Sequence, residues 1–487
     1  MTTVATTLGS LRGIAASDHQ AFLGIPYAAA PVGALRWAAP APVAPWSGVR
    51  EATSFGPAAW QPTGGPLDGL VPGMGSADQG DDCLSLNIWT PATDDTRRPV
   101  MVWIHGGAFS LGAGSLSAYD GRALCTRTDT VVVTINYRVG ALGFLVLDDD
   151  SAVANAGILD QIAALRWVRD NIAAFGGDPD RVTIFGESAG GGSVLSLLSA
   201  PDAQGLFHRA IVQSGATDLM LDRDRARLVL EAFARCAGVD PDDTDALRAL
   251  EPAQVLAAQA QAAGELFATV GTMPFHPCVD GEVLPTTWQQ AAEAGVSTVP
   301  LIIGTTRDEM ALFAGFDPGA ASLDGAGLRA RLERMGPDVD AIIDAYASTG
   351  TTEPPAVWSR ITTDNAMWRP ALRYAEAHAT HGPVWMYRFD WTAARPELGA
   401  PHGVDIPFPF DTIDVGGWDA FVSDPAAAHG LARTIGDLWS SFARTGAPTS
   451  GDLDWPPFDT ERRATLVLGP EVQIIEDPNG AVRRVWG

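Results

Sequence analysis

The sequence predicts an α/β protein on a mostly parallel sheet, and three observations carry that reading. Apolar, β-branched runs recur at 99–104, 130–136, 181–185, 209–213, 299–304 and 384–389. Helical spacings separate several of them. One run, Arg-Val-Thr-Ile-Phe, passes through Gly-Glu-Ser-Ala-Gly into the small and apolar residues of a helix start. Continuous apolar strands alternating with amphipathic helices require a sheet covered on both faces.

The elements follow in order. The first 60 residues are rich in Pro and Gly and read as a small antiparallel start with a wrapping loop. The strand at 99–104 opens into His105-Gly106-Gly107, and a second strand follows at 130–136. Ile158, Ile162, Leu165, Val168 and Ile172 are three or four apart, which gives one apolar helical stripe ending near Gly176 and Gly177. Segments at about 217–298 and 318–382 carry Ala, Leu, Asp and Arg at helical spacing. They read as helical insertions beside the carboxyl edge of the sheet, where open α/β sheets bind ligands. With no repeat or low-complexity linker, residues 1–487 are expected to form a single unit.

Bulk composition removes several function classes. The formal charge of −26 argues against nucleic acid and anionic membrane as partners, because phosphate binding needs concentrated positive charge. No apolar run reaches the length of a membrane span, and the opening residues lack a basic leader and an apolar core, so a cytoplasmic protein is expected. All 32 basic residues are arginine, which excludes Ser-Lys dyads, lysine Schiff bases and the lysine of a phosphate-binding loop. Cys83, Cys125, Cys236 and Cys278 lie far apart without CxxC spacing, so they read as buried thiols rather than a zinc or redox site. No metal or organic cofactor is implied.

Ser188 is the candidate nucleophile. At the tip of a sharp strand-to-helix turn its hydroxyl is exposed, and glycines two places either side remove the Cβ atoms that would collide there. A serine hydroxyl needs a base and a group to orient that base, and in this setting the acid follows the serine and the histidine comes last. His402 follows the strand 384–389 on a loop at the carboxyl edge. His378 and His381 sit at a polar helix end and read as solvated. Asp308 and Glu309 both lie just past the strand 299–304, and pattern alone does not choose between them. The amides of Gly106, Gly107 and Ala189 can face a developing oxyanion, and His105 reads as a pin that fixes this loop.

With these residues in hand, the chain resembles the type-B carboxylesterases, the family of bacterial para-nitrobenzyl esterases and cholinesterases. The likeness runs from Phe22-Leu-Gly-Ile-Pro-Tyr through Asp82-Cys-Leu-Ser-Leu-Asn-Ile-Trp, Phe175-Gly-Gly-Asp-Pro and Gly186-Glu-Ser-Ala-Gly-Gly to Gly304-Thr-Thr-Arg-Asp-Glu and His402-Gly-Val-Asp. It implies the α/β-hydrolase fold and hydrolysis of a small-molecule ester through an acyl-enzyme. It selects Glu309 as the triad acid, agrees on His402, and assigns the oxyanion hole to Gly106, Gly107 and Ala189. It also implies ion pairs of Arg36 with Asp82 and of Arg138 with Asp178, and places Gly271, Met273 and Phe275 near the acyl pocket. The position that pairs with Cys83 in secreted members is alanine here, so Cys83 is expected to be free. The 73–82 segment lacks the tryptophan with which cholinesterases hold a quaternary ammonium group. Aryl carbamates and amides would use the same acyl-transfer machinery, and the sequence leaves that choice open.

Overall fold

The computed structural model describes residues 1–65, 71–271, 273–317, 319–336, 338–419 and 421–486. Of the predicted insertions, Thr272, Pro318 and Pro337 therefore lie outside the described residues. Among the described residues thirteen strands form one sheet: β1 Thr2–Ala5, β2 Ser10–Ala15, β3 Gln20–Pro26, β4 Val49–Glu51, β5 Ser85–Thr90, β6 Arg98–Ile104, β7 Val131–Ile135, β8 Gly177–Glu187, β9 Arg209–Gln213, β10 Leu301–Thr306, β11 Val384–Phe389, β12 Ala464–Leu468 and β13 Val472–Glu476. Their order is β1-β2-β3-β5-β7-β6-β8-β9-β10-β11-β12-β13, with β4 beside β2. Every pairing from β7 through β12 is parallel. Antiparallel pairs flank that block on both sides, including the early strands. This is the α/β-hydrolase architecture that the sequence predicts.

Alternation along the strands sends neighbouring side chains to opposite faces. Val100, Val102 and Ile104 join Val131, Val133, Ile135, Val182 and Ile184 in one buried cluster. Met101, Trp103, Val132, Phe185, Ile211 and Ile302 belong to the cluster on the other face. Each fully buried aliphatic or aromatic side chain here contributes about 1.5–3 kcal/mol by leaving water. The helix Ala156–Asn171 buries Ile158, Ile162, Leu165 and Val168 against the first cluster. It runs on as a 3-10 turn, Ile172–Phe175, and stops at Gly176, whose φ of +77° suits glycine. A third, smaller cluster joins Leu328, Leu332, Ile342, Tyr346 and Ile361 to Val482 of the helix Gly480–Trp486.

Strand order places the site. The chain leaves β6 for β7 on one side, then crosses back over β6 to enter β8 on the other, so β6 and β8 are neighbours whose following loops diverge. Such a reversal opens a crevice at the carboxyl ends of the two strands. Ile104 at the end of β6 pairs with Gly186 near the end of β8.

Several expectations are corrected. Arg138 pairs with Asp160 at 2.7 Å, both buried, and not with Asp178. Arg138 follows the carboxyl end of β7, whereas Asp178 lies at the amino end of the parallel β8, so the two occupy opposite edges of the sheet. Asp178 instead binds Arg97 and Arg181. Arg36 donates to the backbone oxygens of Arg248 and Leu250, while Asp82 is exposed. His378 is buried, with Nε2 2.9 Å from the Val299 carbonyl oxygen, because the last turn of its helix packs on the entry to β10. His381 is exposed as expected. Cys83, Cys125 and Cys278 are buried free thiols, and Cys236 is only half-buried. Among the described residues no helix is long and apolar enough to cross a membrane.

Candidate active site

Ser188 joins β8 to the helix Ala189–Ser199 with φ +57° and ψ −124°, a conformation that costs a non-glycine residue about 1–3 kcal/mol. The fold holds it there. Its N–H donates to the Gln213 carbonyl at 2.9 Å, and its own carbonyl accepts from the Gly192 N–H at 2.9 Å. The flanking glycines are required by contact: a Cβ on Gly186 would lie 2.5 Å from the Gly190 carbonyl carbon, and one on Gly190 would lie 2.0 Å from the Ile104 oxygen. The first turn of the helix presents N–H groups that have no acceptor inside the helix.

The loop after β6 reaches the same place from the neighbouring strand. A Cβ on Gly106 would lie 2.6 Å from the Glu187 carbonyl oxygen and 3.1 Å from the Ser188 Cβ, so this loop rests on the serine turn. Gly107, Ala108 and Phe109 follow with φ of +112°, +57° and +55°. His105 anchors them: Nδ1 lies 2.9 Å from the Gly106 oxygen, the ring stacks on Tyr137 at 4.4 Å, and the Tyr137 hydroxyl donates to the His105 carbonyl at 2.8 Å. Burial lowers the His105 imidazole to about 4, so it stays neutral and acts as a pin.

Glu309 and His402 meet directly, with Oε2 2.6 Å from Nδ1. Glu309 is fully buried, and its Oε1 accepts the Thr306 N–H at 2.8 Å. Asp308 faces elsewhere, toward Arg307, Arg360 and the Ala400 N–H. Of the two carboxylates between which pattern left the choice open, Glu309 is the one in contact with His402. The far edge of the His402 ring is at the serine turn, with Nε2 3.2 Å from Glu187 Oε1. Ser188 is half-buried, and its Oγ makes no hydrogen bond among the described residues.

A model of the carboxylesterase family matches residues 1–486. The chain belongs to that family. The para-nitrobenzyl esterase of Bacillus subtilis is 40% identical over 490 residues, 99% of this chain and 97% of that protein. A phenmedipham hydrolase of Pseudarthrobacter oxydans is 38% identical over 96% of this chain and 94% of its own. Among solved structures, a carboxylesterase of Geobacillus stearothermophilus superimposes with a TM-score of 0.89 at 41% identity, covering 100% of both chains. A structure titled as a PNB esterase gives 0.87 at 36% identity, over 99% of this chain and 98% of that one. This chain is a carboxylic-ester hydrolase of that family.

In this carboxylesterase, three residues that sequence reasoning did not single out surround the imidazole. Glu187 precedes the serine and is buried. Asp405, three residues after His402, is buried and accepts from Gln213 Nε2 at 2.9 Å and the Tyr387 hydroxyl at 3.4 Å. Phe313 lies 5.3 Å from the His402 ring. A signal for Glu187 existed, since a carboxylate ending the apolar run Val-Thr-Ile-Phe-Gly enters the core with its strand. Burial acts to lower His402, but the carboxylates of Glu187, Glu309 and Asp405 outweigh it and push the imidazole up to about 9. Burial pushes Glu187 up to about 8 and Asp405 up to about 6.

The segment assigned to the acyl side is partly internal. Phe275 is buried edge-on to Phe233 at 6.3 Å, whereas Gly271, at φ +105°, and Met273 are half-buried. Among the described residues no cluster of side chains could hold a metal ion.

Proposed function

We propose that Ser188 is the nucleophile of an acyl-enzyme mechanism, with His402 as general base and acid and Glu309 as the carboxylate that orients it. The Glu309–His402 contact at 2.6 Å beside the Ser188 turn carries this reading. Ser188 Oγ attacks the ester carbonyl carbon as its proton passes to His402 Nε2. The amides of Gly106, Gly107 and Ala189 receive the oxyanion, and the loop contact of Gly106 with Ser188 supports that assignment. Nε2–H then protonates the departing alcohol, and the imidazole later activates the water that releases the acid. Glu309 fixes the tautomer with its proton on Nδ1 and stabilises the imidazolium.

The substrates are small to medium carboxylic esters, aromatic ones included, with Gly271, Met273 and Phe275 on the acyl side. The names of the relatives support this range, since one acts on a para-nitrobenzyl ester. Residues 1–487 then form one catalytic unit with helical insertions, in the cytoplasm, where a free Cys83 would persist. Replacing Ser188 with Ala should leave the fold intact and lower kcat on a p-nitrophenyl ester by about 10³-fold or more. Near-normal turnover would overturn the assignment. A panel of esters, aryl carbamates and amides, compared by kcat/KM, reads the substrate class.

A further inference from the structure

The N–H groups of Gly106, Gly107 and Ala189 donate to nothing among the described residues. Each belongs to a peptide unit whose carbonyl oxygen is held from behind. The His105 carbonyl, in one peptide with the Gly106 N–H, accepts from the Tyr137 hydroxyl at 2.8 Å. The Gly106 carbonyl, in one peptide with the Gly107 N–H, lies 2.9 Å from His105 Nδ1. The Ser188 carbonyl, in one peptide with the Ala189 N–H, accepts from the Gly192 N–H at 2.9 Å. No peptide bond among the described residues is cis, so in each unit the C=O and the N–H point in opposite directions. A bond that fixes the oxygen therefore aims the N–H away from the anchor.

The loop needs such anchors. Glycine at both 106 and 107 leaves these peptide planes free to rotate, Gly107 standing at φ +112°, so contacts rather than side-chain sterics must fix them. The anchors are buried and directed. The Gly106 oxygen can only accept, so His105 carries its proton on Nδ1, and its Nε2 is left without a partner. On its other side the Tyr137 phenol oxygen meets the Ser193 hydroxyl, which accepts from Gln161 Nε2 at 2.9 Å. That donation turns the Ser193 proton toward the phenol, and the phenol's own proton toward the His105 carbonyl. Ser193 lies on the helix Ala189–Ser199 that begins at the serine turn, so the nucleophile turn and the oxyanion loop are tied through Tyr137.

We propose that Tyr137 and His105 are positioning residues that set the direction of the Gly106 and Gly107 N–H groups, each by holding the carbonyl of that donor's own peptide. The inference rests on the assignment of Ser188 and of the oxyanion donors made above. During attack, negative charge collects on the substrate carbonyl oxygen, and a donor already aimed at that point costs no reorganisation. The ground-state ester carries less charge there and gains less from the same N–H groups. Loss of the Tyr137 hydroxyl therefore weakens the transition state more than the bound substrate.

The test compares two reversible inhibitors of the same chain, an aryl trifluoromethyl ketone and its methyl ketone. On the first, Ser188 Oγ bonds to the carbonyl carbon, its proton passes to His402 and the carbonyl oxygen becomes an oxyanion; the second binds without that step. The unsubstituted protein should prefer the trifluoromethyl ketone by about 10²-fold or more, as expected of a transition-state analogue. Tyr137→Phe should reduce that preference, and kcat on a p-nitrophenyl ester, by about tenfold, less than the 10²–10³-fold of a donor lost outright. KM and methyl ketone affinity should hardly move. Thr90→Val removes a buried hydroxyl from the Phe175 carbonyl at the amino ends of the parallel strands and should leave the preference in place. A preference that survives Tyr137→Phe, or that falls as far in Thr90→Val, overturns the inference alone. An unsubstituted protein that binds both ketones alike overturns the catalytic assignment instead. If Tyr137→Phe does not fold, His105→Asn, whose amide N–H can stand in for Nδ1–H, should keep more of the preference than His105→Leu, and equal values overturn the proposal.

Discussion

Glu309 and Asp308 are adjacent in the chain but serve different partners: Glu309 faces the His402 imidazole, while Asp308 binds Arg307 and Arg360. Glu309→Gln should therefore lower kcat by about 10³–10⁴-fold, because an amide on Nδ1 no longer enforces the tautomer. Asp308→Asn should cost thermal stability and much less turnover. Equal losses of kcat in the two variants would show that the carboxylates share one role.

The oxyanion loop gives a second test. A Cβ on Gly106 would meet the Glu187 carbonyl and the Ser188 Cβ, so Gly106→Ala must push the loop away from the serine. The expected result is a fall in kcat of about 10²–10³-fold, the size seen when one oxyanion donor is lost, with a smaller change in KM. Steady-state kinetics beside a melting curve separate this from unfolding.

Arg138 and Asp160 form a bidentate pair in which both side chains are buried. Asp160→Asn leaves an arginine charge inside the fold without its counter-ion, which should destabilise the protein by about 3–5 kcal/mol. Chemical denaturation should show that loss, while turnover of the folded fraction stays near normal.

A pH-dependent staple joins the long helix Pro425–Thr445 to the loop beyond His402. His429 Nδ1 lies 2.6 Å from Asp411 and Nε2 lies 3.2 Å from Asp414. Hydrogen bonds to the two carboxylates raise the His429 imidazole. Because the folded value is above the unfolded one, the stabilisation is complete below the ordinary imidazole range near ~6.5 and disappears as pH rises through the raised value. The difference in melting temperature between the unsubstituted protein and His429→Gln should shrink from pH 5.5 toward alkaline pH, a range chosen to span the ~6.5 midpoint. A difference that grows with pH would contradict the staple.

The order of legibility follows physical range. The β9 and β11 limits match the apolar runs 209–213 and 384–389, and the helix stripe ends at Gly176 as its spacing indicates. Local sterics and periodicity determine those features, and both are written in consecutive residues. The partner of Arg138 was not legible, because it depends on which sheet edge each residue reaches. His378 looked polar in a polar string, yet tertiary packing on the entry to β10 buries it. Glu187 and Asp405 were missed for a related reason: their importance lies in the direction their carboxylates take toward one ring, and a string contains no directions.

The left-handed backbone at Ser188 has a consequence for how this protein can change. Glycine would occupy that corner without strain, so Ser188→Gly should melt above the parent while hydrolysing nothing. Screening for heat tolerance alone would reward loss of the hydroxyl, and any programme of stabilisation must be coupled to a measurement of turnover.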